Sequence, residues 1–70
     1  MYGIYEGQIN YLNGVIKSID ERVRRLSAVL ELVGDVDDGL NDWLNDTIRE
    51  LDSLKKSLEQ EISELKEKWR

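Results

Sequence analysis

Seventy residues, 40% apolar and 36% charged with a net charge of −5, allow one small domain at most. Cysteine and histidine are both missing, which removes disulfides, thiolate metal sites, and the commonest metal ligand and general base. The acidic excess argues against broad attraction to nucleic acid or anionic lipid, and no apolar run reaches the roughly 18–20 residues of a membrane span.

The N-terminal Met1-Tyr2-Gly3-Ile4-Tyr5-Glu6 carries no basic region and no long apolar stretch. No signal peptide is therefore expected, and a cytoplasmic or virion- and assembly-associated location follows as the expectation. The charge is uneven along the chain. Up to Val33 the acids and bases balance, whereas Asp35, Asp37, Asp38, Asp42 and Asp46 all precede the first base of the second half.

The first predicted element is a helix from about residue 3 to about residue 33. Tyr2, Tyr5, Ile9, Leu12, Ile16, Ile19, Val23, Leu26, Leu30 and Val33 follow an unbroken alternation of three- and four-residue steps. That spacing belongs to a helix with one continuous apolar seam and not to a strand, whose period is two. Gly34 then stands where a left-handed cap residue belongs, and Asp35 is a candidate N-cap for the next element. The turn is expected over about residues 34–38.

A second helix is predicted from about residue 38 to about residue 69. Its seam reads Leu40, Leu44, Thr47 or Ile48, Leu51, Leu54, Leu58, Ile62, Leu65 and Trp69. Two successive four-residue steps at Leu54, Leu58 and Ile62 form a stutter, which would locally unwind a supercoil. Lys66, Lys68 and Arg70 lie in the last turns, where the helix dipole favours cations. Folding the helices back on each other pairs Leu30 with Leu40, Leu26 with Leu44, Ile19 with Leu51 and Ile16 with Leu54. Tyr2 and Trp69 would close the open end.

The fold class expected is therefore all-α, a coiled-coil-type antiparallel two-helix hairpin in a single domain. A single unbroken helix in a parallel oligomer satisfies the same spacing. It would carry Asp37 in its seam and Gly34 and Gly39 mid-helix, at about 1 kcal/mol per glycine.

A second stripe runs one residue ahead of the first helix's seam: Met1, Ile4, Gln8, Tyr11, Val15, Ser18, Arg22, Arg25, Val29, Leu32 and Val36. It makes the apolar face of that helix wider than one antiparallel neighbour can cover. Ile4, Tyr11, Val15, Arg22, Arg25, Val29 and Leu32 are the candidate partner interface. Its apolar residues cluster at the two ends. An antiparallel homodimer would lay Ile4, Tyr11 and Val15 against Val29, Leu32 and Val36 of its mate and complete a four-helix bundle.

Gly7 and Gly14 share one face a heptad apart and would admit another backbone closely. Tyr2, Tyr5 and Trp69 crowd the same end, and aromatic residues are enriched in binding hot spots.

Residues that suggest chemistry have simpler readings. The aspartates around the turn do not fit a calcium loop: with Gly39 at the sixth position, Gly34 falls at the first, Val36 at the third and Asn45 at the twelfth. They suit a helix start instead. Lys17, Arg22, Arg24 and Arg25 could meet phosphate, but Asp20 and Glu21 stand four residues before Arg24 and Arg25, a pattern of intrahelical pairing. A dimeric hairpin resembles the Rop-type RNA-binding hairpins in architecture; no residue motif is shared, so no residue role carries over.

The chain has no Gly-rich phosphate loop and no serine–base constellation, and a thin rod has no room for an ordinary pocket. No catalytic residue, cofactor or metal is expected. The expected function is a non-enzymatic protein–protein interaction module, an adaptor, helper or small inhibitor acting through helix packing. The alternatives are a structural subunit of a larger assembly and a Rop-like RNA-binding dimer.

Overall fold

The computed structural model describes the backbone of residues 2–69 and the side chains of residues 4–68. Two helices, α1 (Tyr2–Val33) and α2 (Asp38–Trp69), each 32 residues long, pack against each other as an all-α antiparallel hairpin. The Cα trace of the rod spans 54 × 14 × 10 Å. The single unbroken helix is excluded by the reversal between Val33 and Asp38. Tyr2 and Trp69 lie in helix, but their side chains, and so the proposed closure of the open end, fall outside the described residues.

The seam of α1 faces inward throughout its described length. Ile9 and Ile19 are buried, and Tyr5, Leu12, Ile16, Val23, Leu26, Leu30 and Val33 are half-buried. On α2, Leu44 and Ile62 are buried, with Ile48, Leu51, Leu58 and Leu65 half-buried beside them.

The turn departs from expectation in two ways. Gly34 is not left-handed: no described residue has a positive φ. Helical hydrogen bonding instead runs on past Val33, with the Gly34 amide donating to the Leu30 carbonyl (2.8 Å) and the Asp37 amide to the Val33 carbonyl (3.2 Å). Gly34 is small because a Cβ there would lie 2.7 Å from the Leu30 carbonyl oxygen and 2.9 Å from Asn41 Nδ2.

The N-cap of α2 is Asp37 rather than Asp35. Asp37 Oδ1 accepts from the Leu40 amide at 3.0 Å, and its carbonyl accepts from the Asn41 amide at 2.9 Å. The Asn41 side chain then reaches across the corner and donates to the Gly34 carbonyl at 3.1 Å. It also accepts from Asn45 Nδ2 at 2.8 Å.

The later reversal moves the register. Shifting the bend by about two residues slides the two helices by about one turn relative to the expected pairing. Two cross-helix contacts fix the result: Lys55 Nζ lies 2.8 Å from Asp20 Oδ1, and Asn41 bonds Gly34. Between them Leu30 stands level with Leu44, Leu26 with Ile48, and Ile16 with Leu58. In this register α2 has no stutter. Its inward positions are Asn41, Leu44, Ile48, Leu51, Lys55, Leu58, Ile62 and Leu65, all buried or half-buried and in strict three–four alternation. Leu40 and Leu54, expected in the seam, are exposed. Lys55 replaces Leu54 because its aliphatic stem covers apolar surface while its ammonium meets Asp20.

Candidate docking surface

Which side of the rod each residue occupies follows from the helical period once the seam is known. On α1, Val15, Arg22 and Val29 flank the seam on one side, with Ile4, Tyr11, Ser18, Arg25 and Leu32 just beyond them. On α2 the same side carries Leu40, Thr47, Leu54 and Glu61 at heptad spacing. Three consecutive grooves between the helices trace this side. Ile4, Gln8 and Tyr11 meet Glu61 and Leu65 at the free end. Val15 and Ser18 meet Leu51 and Leu54 at the middle. Arg22 and Arg25 meet Thr47 and Leu51 nearer the turn.

The opposite side is polar. Its groove lies between Asn13 and Ile16 of α1 and Glu59, Ser63 and Lys66 of α2, and Asp20 and Lys55 pair there. The hairpin thus has one apolar and one polar broad face. Leu32 is 79% exposed, Val36 83% and Tyr11 72%. Ile4 and Trp43 are also largely open, Val29 is exposed to a lesser degree, and only Val15 of the interface set is half-buried.

α2 contributes to this face beside α1. Leu54 (49% exposed) and Leu40 move from the seam to the open side, and Trp43 flanks them. The signal lay in the sequence as the heptad series Leu40, Thr47, Leu54, Glu61, which the apparent stutter concealed. Thr47 satisfies its hydroxyl within the helix, donating to the Trp43 carbonyl at 2.8 Å, so it adds no free polar group.

Arg22 and Arg25 are exposed at the middle of the face. Asp20 pairs with Lys55 across the hairpin instead of with Arg24 along α1; the other ion pair among the described residues is Asp52–Lys56, one turn apart on α2, at 3.4 Å. Gly7 and Gly14 are exposed, with no atom within 4 Å of where a Cβ would stand. Within one hairpin, then, neither glycine is required by close approach. Tyr5 points into the seam; the side chains of Tyr2 and Trp69 lie outside the described residues.

The electrostatics are simple. Lys55 is held above the ordinary lysine value, first by its hydrogen bond to Asp20 and then by that carboxylate's charge, with Glu59 and Asp52 adding to it. Among the described residues no group of three or more Asp or Glu is placed to hold a metal ion, and no helix is long and apolar enough to cross a membrane. No protein-family model, curated protein or solved structure matches this chain.

Proposed function

We propose that this chain is a non-enzymatic protein–protein interaction module that works by packing helices along its open apolar face. The observation that carries the reading is the run of Ile4, Tyr11, Val15, Val29, Leu32, Leu40 and Leu54 on one side of the rod, opposite a polar side. Isolated exposed apolar residues are ordinary on a soluble protein. A stripe extending over two helices at heptad spacing has the geometry that a partner's helices require.

Leu32→Glu together with Tyr11→Glu tests the reading. Both side chains point away from the hairpin's own seam, so helicity measured by circular dichroism should be retained. Affinity purification from the native host, read by mass spectrometry, should lose the partner recovered with the unaltered chain. Recovery of the same partner at unchanged yield would refute docking through this face. A stoichiometric foreign protein supports an adaptor or inhibitor, and self-assembly alone supports a structural subunit. The RNA-binding reading has Arg22 and Arg25 on this face to draw on, within a chain of net charge −5. It calls for a salt-dependent RNA mobility shift.

A further inference from the structure

We infer that the occupant of the open face is a second copy of this chain, laid antiparallel so that the two turns stand at opposite ends of a four-helix bundle. The inference rests on the docking reading above and names its partner.

Area comes first. The chain exposes 5538 Å², whereas a compact monomer of its mass exposes about 4,500 Å². The Cα atoms of one broad side span 54 by 14 Å, a footprint of about 750 Å², and two such footprints pressed together bury about 1,500 Å², the size of a standard stable interface. A second copy supplies a face of equal length, width and helical period.

The orientation follows from apolar matching and charge. Setting Ile4 against the mate's Val36 and Tyr11 against its Val29 places the two-fold axis at the level of Asp20. Asp20 lies at the level of Lys55, so Leu54, on the open side, meets its own counterpart at the axis. This orientation brings the aspartate-rich corner of one chain beside the free end of the other, where Lys66 and Lys68 occupy the last turn of α2. The reverse orientation would instead bring two corners together, each carrying Asp35, Asp37, Asp38, Asp42 and Asp46, with no base among them.

Two measurements on the full chain test this. Sedimentation equilibrium at tens of micromolar should return the mass of two chains, and Leu32→Glu with Val29→Glu should reduce it to one. The chain has no cysteine, so a spin label on Asp35→Cys reports the turn alone. Pulsed dipolar spectroscopy should then give a turn-to-turn distance of about 45 Å, from about 15 residues of helix on each side of the axis.

A distance of about 10–20 Å, the spacing of adjacent helices plus the labels, would overturn the orientation. A single-chain mass for the unaltered protein at 100 times that concentration would overturn the second copy as occupant. In that case face-dependent capture of a foreign protein would leave the docking reading standing, and its absence would remove both.

Discussion

Gly34, Gly7 and Gly14 show how differently one residue type serves in one chain. At Gly34 an added methyl would press on the Leu30 carbonyl and on the Asn41 amide that bridges the corner. Gly34→Ala should therefore destabilise the hairpin by about 1–3 kcal/mol, the usual range for forced overpacking, as read by urea denaturation. Gly7 and Gly14 face open space, so Gly14→Ala should stabilise the isolated hairpin by about 1 kcal/mol through helix propensity alone. If it also weakens self-association in sedimentation, another backbone does approach there. Asp37→Ala removes the cap of α2 and should cost about 1 kcal/mol in the same assay. That Asp37 and not Asp35 caps the helix was not legible beforehand. Both have the right side chain, and only the extra helical hydrogen bonds after Val33 decide which carboxylate reaches the free amides.

At the scale of the element, the three–four alternation of α1 identified its inward face residue by residue. The reading of α2 erred at two places, Leu40 for Asn41 and Leu54 for Lys55, because at each an apolar residue adjoins a polar one and hydrophobicity alone favours the wrong neighbour. The polar member wins in both cases by finding a specific partner, Gly34 or Asp20. A polar pair in an otherwise apolar seam penalises slippage, since any other register leaves it facing aliphatic side chains. The Lys55–Asp20 pair also carries a pH signature. Because Lys55 is raised in the folded state above 10.5, its contribution is fully present below that pH and is lost as pH climbs through the folded-state value. The stability difference between the unaltered chain and Lys55→Gln should be flat from about pH 7 to about pH 9.5 and shrink at higher pH. A difference that grows there would contradict the pair. Leu44, the most deeply buried side chain at 1% exposure, should cost about 2–5 kcal/mol as Leu44→Ala.

The whole molecule is a rod with a sparse interior: among the described residues only Ile9, Ile19, Leu44 and Ile62 are buried. Two helices side by side leave each of them solvated around most of its circumference, and chains of this length gain little from one core. Docking on the open face would add the missing burial. If a second copy supplies it, the melting temperature must rise with protein concentration, because association stabilises only the folded form. Thermal scans over a hundredfold concentration range should show a rise of several degrees for the unaltered chain and none for Leu32→Glu with Val29→Glu. A concentration-independent melt of the unaltered chain would mean that the hairpin is stable by itself.

Two amphipathic helices, their extents, the bend at the acidic corner and the surplus stripe on α1 were all determined by the sequence alone. Each depends on angular position within a helix, and the 3.6-residue period converts sequence spacing directly into angle. The register between the helices, and with it the side of the rod on which Leu40 and Leu54 lie, was decided only by the tertiary structure. Sliding one apolar seam along another by a full turn exchanges one set of aliphatic contacts for a nearly equal set, so hydrophobic burial barely discriminates between the two. The choice falls to directional contacts, the Asn41–Gly34 bond across the corner and the Asp20–Lys55 pair, and these exist only once the helices are side by side.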